Sequence, residues 1–339
     1  MHDPLHLISK FPQAALLPNP TPVERLSRLS DKLGIDLWMK RDDLTGLSFG
    51  GNKTRQLEFY IGAALAQKAD TILITGAVQS NFARTAAAAA AKYGMKAVLQ
   101  LEERVPGKGP AYYASGNVLL GQLLDAEYMS FPEGENEVGA DAALADRAEA
   151  LRAKGRRPFI IPLGIDHAPI GSLGYVKGGA ELVSQMDDFD VAVVPSGSGA
   201  THGGFLTGLR LAGNDRTVFG ICVRRDAQQQ TARIDTVTHN LADLMGIERP
   251  FGLDSIRTWD SALAPGYGQV GPKTHTALKL MAQSEGILLD PVYSAKTFAG
   301  LLDLLDADLI SRGQKVLMLH TGGVPAIFGY QEELQSTVL

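Results

Sequence analysis

The sequence predicts an α/β protein of parallel sheets flanked by helices, and three observations carry that expectation. Short, near-continuously apolar runs recur along the chain, as strands buried on both faces require. Longer amphipathic stretches fall between them, the alternation of a sheet covered by helices on both sides. With 339 residues and 45% hydrophobic content, the chain exceeds what one compact core usually takes, so two lobes with a cleft between them are expected.

In chain order, Leu37 to Lys40 reads as the first strand. Gly50-Gly51-Asn52-Lys53 follows, with glycines that tolerate positive φ and leave a flat ligand room to approach. Asn52 reads as the N-cap of a helix carrying the periodic run Leu57 to Leu65. Thr71 to Thr75 and Ala97 to Leu101 are strands around a helix at Gln79 to Tyr93, whose alanine run, Ala86 to Ala91, favours helicity and close packing. Helices are expected at Asn117 to Leu124 and Ala140 to Lys154, then a strand at Phe159 to Pro162 and a helix at Ile170 to Gln185. Val191 to Pro195 and Val218 to Val223 are strands on either side of a glycine-rich helix, and a helix at Lys273 to Glu285 and a strand at Val316 to His320 complete the series. The stretch 52–162 is expected to form a small domain, with 1–51 and 163–339 forming the large one.

Net charge is −5 and the basic residues are scattered, which argues against a nucleic-acid surface or a membrane-binding basic helix and for a small-molecule partner. No apolar run approaches the ~18 residues of a membrane span. The N-terminal MHDPLHLISKFPQ lacks the pattern of a secretory signal, so a cytoplasmic protein is expected. Cys222, the single cysteine, reads as a small buried hydrophobe in a strand and suits a reducing compartment. The seven histidines form neither H-E-x-x-H nor a cluster with cysteine, so no metal site is expected.

Three stretches carry chemistry. Lys53, behind two glycines at a helix start, is placed to form an imine with a carbonyl cofactor, although a lone lysine there is more often solvated. Pro195-Ser196-Gly197-Ser198-Gly199-Ala200-Thr201 joins a buried strand to a helix, where backbone N–H groups and the helix N-terminus hold an anion and two hydroxyls add donors. The same glycines also suit close packing of the helix. In Gly76-Ala77-Val78-Gln79-Ser80-Asn81-Phe82-Ala83-Arg84, Ser80 and Asn81 lie where they either grip an oxygen anion or cap the next helix.

The combination of GGNK, TGAVQSN, SGSGATHGG, APGYG, DPVYSAK and HTGG, in this order and spacing, closely resembles the pyridoxal-phosphate enzymes of the D-cysteine desulfhydrase and 1-aminocyclopropane-1-carboxylate deaminase family, from about Leu7 to Tyr330. That resemblance implies a two-lobed, tryptophan synthase β-like fold of type II, pyridoxal 5'-phosphate between the lobes, and a homodimer. It makes Lys53 the Schiff base and the proton carrier at the substrate Cα. It implies that Asn81 bonds the cofactor's phenolic oxygen, and that Gly197, Ser198, Gly199, Ala200 and Thr201 bind its phosphate. Ser80 would meet the substrate carboxylate or move a proton, Tyr267 and Tyr293 would flank the substrate, and Thr321 with Gly322 and Gly323 would close the cofactor pocket.

Two positions bear on the reaction. The residue after Tyr293 faces the pyridine nitrogen in the family; ring-opening deaminases resemble one another in placing glutamate there, and here it is Ser294. A hydroxyl leaves the ring largely neutral, which favours prompt loss of a β leaving group over ring opening. Typical D-cysteine desulfhydrases resemble QSNH where this chain has Phe82. The lost titratable ring weakens the case for a thiol, whereas a sulfonate leaves as sulfite without needing a proton.

The sequence therefore looks most like L-cysteate sulfo-lyases, with D-cysteine desulfhydrase as the alternative. 1-Aminocyclopropane-1-carboxylate deaminase and a non-catalytic cofactor-binding protein are less favoured. Arg84 reads as a structural ion pair, His202 as a satisfied histidine at a helix start, and Lys40, Arg41, Asp42 and Asp43 as a solvated or ion-paired loop edge.

Overall fold

The protein is described by a computed structural model that covers residues 3–134 and 136–338. Its strands are β1 (Val23–Arg25), β2 (Asp36–Arg41), β3 (Thr71–Ala77), β4 (Lys96–Glu102), β5 (Glu127–Phe131), β6 (Pro158–Ile161), β7 (Val191–Ser196), β8 (Thr217–Cys222), β9 (Arg257–Trp259) and β10 (Lys315–His320). They form two sheets, a six-stranded one in the order β1-β2-β10-β7-β8-β9 and a four-stranded one in the order β5-β4-β3-β6. Every pairing is parallel except that of β1 with β2.

The apolar runs are explained by coverage on both faces. Val193 of β7 and Met318 of β10 join a core with Leu37, Ile221 and Phe298. Their neighbours Ala192, Val194, Leu317 and Leu319 point the other way, into a core with Phe205 and Leu206. In the smaller sheet all seven residues of β3 are buried. Cys222 is buried and free, and burial pushes its thiol up to about 12, which leaves it inert.

Glycine lets the helices touch backbone to backbone. A Cβ on Gly204 or Gly208 of helix Ala200–Leu211 would lie 2.3 Å from the carbonyl oxygen of Ser172 or Val176. One on Gly174 of helix Leu173–Gln185 would lie 2.1 Å from that of Arg55. The glycine-rich helix is thus a packing device as well as the continuation of the anion loop.

The charged run at Lys40 to Asp43 is ion-paired but, contrary to a solvated edge, largely buried. Asp42 accepts from Arg55 Nε at 2.8 Å and Nη2 at 2.9 Å, from the Thr21 hydroxyl at 2.7 Å and from the Tyr175 hydroxyl at 2.6 Å. Glu181 accepts from Arg55 and from Lys40. The cluster ties β2 to helices Lys53–Ala66 and Leu173–Gln185, and the Arg55 guanidinium holds the Asp42 carboxyl below the usual carboxylate range against the opposing effect of burial.

Several elements differ from the sequence reading. β1, β5 and β9 are short edge or near-edge strands with little buried surface, so they carry no apolar run. Helix Ala227–Met245 is polar overall, and its buried stripe of Ile234, Val237, Leu241 and Met245 is diluted by Gln230, Arg233 and Thr238. The helix expected from Ala140 starts at Glu137, because the Asn136 side chain accepts from the Gly139 N–H at 2.8 Å.

Candidate active site

The strands point their carboxyl ends into one cleft between the two sheets, where ligands of parallel α/β sheets usually bind. Lys53 reaches it from β2 through the glycine turn, Ser80 and Asn81 follow β3, and Arg104 follows β4. Gly197 to Thr201 follow β7, Arg224 follows β8, and Thr321 and Gly322 follow β10. The cleft is open to solvent and is lined by residues from both sheets.

Lys53 opens helix Lys53–Ala66 after Gly50 at φ 64° and Gly51 at φ 114°. A Cβ on Gly50 would fall 2.1 Å from the Asp43 carbonyl oxygen, so the turn requires glycine. Asn52 occupies the cap position but makes no capping bond, contrary to expectation; its amide donates to the Thr201 hydroxyl at 2.8 Å, joining the lysine turn to the anion loop. The Lys53 amine has Gln56 Oε1 at 3.4 Å and the Phe82 ring centre at 4.9 Å. The surrounding walls strip it of water and bring it down to about 8, well below an ordinary lysine.

Across the cleft, the Ser80 hydroxyl accepts from the Ala83 N–H at 3.1 Å and caps helix Asn81–Lys92 while still lining the cavity. Capping and ligand contact therefore coexist, because the bond uses a lone pair and leaves the hydroxyl proton available. Asn81 Oδ1 accepts from Asn117 at 2.8 Å, which turns its Nδ2 toward Gly323, where a Cβ would approach that nitrogen to 2.7 Å. Ser80→Ala is expected to cost about 1 kcal/mol of stability through the lost cap. Urea unfolding checks this, and an unchanged midpoint would show that the cap contributes nothing.

The anion loop turns at Gly199, φ 102°, and the N-terminus of helix Ala200–Leu211 faces the cleft. Beneath it, Ser196 accepts from Gln230 at 2.9 Å and shares a hydrogen bond of 3.0 Å with His202 Nδ1. The ring's Nε2 is buried without a partner, so His202 is only half satisfied, and burial lowers it to about 4, which keeps it neutral at pH 7. On the substrate side, the hydroxyls of Tyr267 and Tyr293 are 2.8 Å apart, and burial together with this contact raises the Tyr293 phenol well above its usual range.

Lys53, Ser80, Asn81, Gly197, Ser198, Gly199, Thr201, Tyr267, Tyr293 and Thr321 all line this one cavity. Ala200 and Ser294 do not. Ala200 lines an adjoining cavity. Ser294 is fully buried, with its hydroxyl donating to Asp290 Oδ1 at 2.7 Å at the start of its helix. Among the described residues Arg84 has no carboxylate partner. It donates to Asn117 at 3.1 Å and to the carbonyls of Ser48 and Gly50, and so supports the glycine turn rather than forming an ion pair.

Arg104, Glu137, Arg224 and Arg233 also line the cleft and were missed. For Arg104 and Arg224 a signal existed, since each stands two residues past the end of a buried parallel strand. Glu137 accepts from Arg224 and Arg225, both at 2.9 Å. Among the described residues, no group of His, Cys, Asp or Glu is arranged to hold a metal ion, and no helix is long and apolar enough to cross a membrane.

The residues present fit pyridoxal 5'-phosphate. A lysine amine with no carboxylate beside it suits a carbonyl, and a glycine loop at a helix start, with an unpartnered buried imidazole nearby, suits a phosphate ester. A family profile of pyridoxal-phosphate dependent enzymes matches residues 14–322. The chain is 40% identical over 332 residues to a D-cysteine desulfhydrase of Yersinia pseudotuberculosis, covering 97% of this chain and 99% of the relative. It is 38% identical over 330 residues to that of Salmonella typhi, with 96% and 98% covered. A crystal structure of an ACC deaminase homologue superposes with a TM-score of 0.88 at 35% identity, covering 99% of each chain.

Proposed function

Because the chain belongs to the pyridoxal-phosphate-dependent enzymes of fold type II, among the D-cysteine desulfhydrase and ACC deaminase relatives, we propose that it eliminates the sulfur substituent of a three-carbon amino acid, with L-cysteate as substrate and pyruvate, sulfite and ammonia as products. The observation that carries this reading is the desolvated Lys53 amine, sharing one cleft with an anion loop, two helix starts and a phenol pair. The cofactor, when bound, supplies an electron sink that makes the substrate Cα–H acidic.

The chain's own residues do the rest. Lys53 is the attachment point and takes the Cα proton, for which an amine near 8 is close to the ideal poise. The N–H groups from Gly197 to Thr201 would hold the phosphate at the helix start, and Asn81 would hydrogen-bond the phenolic oxygen. Ser80, with its proton free, donates to the substrate carboxylate. Tyr267 and Tyr293 enclose the substrate and keep bulk water from the reacting carbons.

The choice of substrate rests on Phe82. Its ring packs on the Lys53 amine and offers no proton to a departing thiolate, whereas sulfite leaves already charged. The second reading, D-cysteine to pyruvate, sulfide and ammonia, is favoured by the names of the relatives. Offering L-cysteate, D-cysteate, L-cysteine and D-cysteine separately to the cofactor-loaded protein tests both. Sulfite with pyruvate from L-cysteate supports the first, and sulfide from D-cysteine alone replaces it with the second. Phe82→His is expected to raise the sulfide-to-sulfite ratio several-fold, and an unchanged ratio would remove position 82 from specificity.

The same reading includes a homodimer and a cytoplasmic setting. Exposed Leu119 and Leu123 lie on helix Gly116–Leu123, which packs on helix Ala326–Gly329 carrying exposed Phe328, and these side chains are proposed to meet a second copy. Sedimentation of the holoenzyme tests this. The small domain is proposed at 52–162, since the four-stranded sheet draws all its strands from that stretch.

A further inference from the structure

We infer that Arg104, backed by Glu102 and accompanied by Arg224, is a subsite for an anionic group on the β-carbon of the substrate. The inference rests on the elimination reading above and names the part of the cleft that would recognise a sulfonate.

Arg104 is built to be rigid. Its Nε and Nη2 clamp the Glu102 carboxylate at 2.8 and 2.7 Å, and Glu102 is itself fully buried and receives the Thr75 hydroxyl at 2.5 Å. The clamp fixes the guanidinium plane and does not use Nη1. Only 8% of the Arg104 side chain is exposed, and that part lines the cleft. Its charge opposes the upward push that burial gives the Tyr293 phenol. Arg224 approaches the same region from β8, with its guanidinium 6.0 Å from the Tyr267 ring centre. Glu137 lies within ion-pair distance of Arg224, Arg225 and Arg233, which ties these side chains together along that wall.

Every α-amino acid brings one carboxylate, and Ser80 at its helix start is placed for that. The Arg104 guanidinium, which follows the neighbouring strand β4 on the same wall, suits a second anion. A cysteine thiol, with an ordinary pKa of about 8.5, brings none at neutral pH. A sulfonate brings a permanent charge and three acceptor oxygens. During elimination the Cα proton goes to the Lys53 amine and the Cα–H electron pair becomes the Cα=Cβ bond. The Cβ–S pair leaves on sulfur, so the sulfonate departs as sulfite with one more negative charge. A guanidinium beside the sulfur oxygens then binds the leaving group more tightly in the transition state than in the ground state.

The test compares kcat/KM for L-cysteate with that for β-chloro-L-alanine, which undergoes the same elimination without a sulfonate. It uses wild-type holoenzyme, Arg104→Gln, Arg104→Lys and the double variant Glu102→Gln/Arg104→Gln, which leaves no buried carboxylate unpaired. The cysteate-to-chloroalanine ratio is expected to fall roughly 10- to 100-fold in Arg104→Gln and in the double variant, the loss of one charge-assisted bond, and less in Arg104→Lys. Binding of 3-sulfopropanoate, measured by calorimetry, should weaken in parallel.

A ratio and an affinity within twofold of wild type in both glutamine variants would overturn the subsite. If wild type releases no sulfite yet binds 3-sulfopropanoate in an Arg104-dependent way, the substrate reading fails and the subsite stands. If sulfite is released equally well without Arg104, the subsite fails and the substrate reading stands.

Discussion

Lys53→Ala is expected to lower pyruvate formation at least about a thousandfold, because it removes both the covalent anchor and the base at the Cα proton. The near-visible absorbance of bound cofactor should disappear with it, and normal turnover in this variant would exclude Lys53 from the assignment. A second consequence appears in the cofactor-free protein. Burial lowers the Lys53 amine from 10.5 to about 8, so the unfolded chain binds the proton more tightly than the folded one. The resulting destabilisation is fully present below pH 8, shrinks as pH rises between 8 and 10.5, and is gone above that. Cofactor-free Lys53→Met should therefore be more stable than cofactor-free wild type at pH 7, by up to about 3 kcal/mol. That advantage should fade toward pH 10.5 in urea titrations, and a gap that widened with pH would contradict it.

Asp42→Ala is expected to be the most damaging change away from the cleft lining. It removes the carboxylate that accepts from Arg55 Nε and Nη2, from Thr21 and from Tyr175, and leaves a fully buried guanidinium with Glu181 as its one carboxylate among the described residues. Breaking such a pair from one side costs about 3–5 kcal/mol. Because Arg55 stands two residues after Lys53 on the same helix, cofactor affinity should fall together with the unfolding midpoint. A loss below about 1 kcal/mol would mean that the cluster relaxes around the missing carboxylate. Replacing Asp42 and Arg55 together, as Asp42→Leu/Arg55→Met, should recover part of the loss, since no charge is then stranded in the interior.

Much of this architecture was legible because doubly covered parallel strands must be apolar on both faces, and β3, β7, β8 and β10 are. β5 and helix Ala227–Met245 were not, because partly exposed elements mix polar and apolar residues and lose the periodic signal. At the site, glycine and hydroxyl motifs read well, since their backbone demands are local. Charges read poorly. Lys40, Asp42 and Arg84 are buried by partners distant in sequence, and Arg104 and Glu137 meet the cleft only once two sheets face each other. Asn52 shows the same limit in miniature, as its amide ignores its own helix for Thr201.

The backbone contacts at Gly174, Gly204 and Gly208 bear on the spacing within the cleft. Helix Ala200–Leu211 rests directly on helix Leu173–Gln185, which rests on the first turn of the helix bearing Lys53. At these crossings an added Cβ would collide with backbone, so the spacing between the glycine loop and the Lys53 turn is set by backbone contact rather than by side-chain packing. Ser80, Asn81 and Arg104 issue from the other sheet. Helix Lys53–Ala66 also packs Leu57, Tyr60, Ile61 and Ala64 against Ile72 and Ile74 of the smaller sheet, so it is the element through which the two walls of the cleft are held in register.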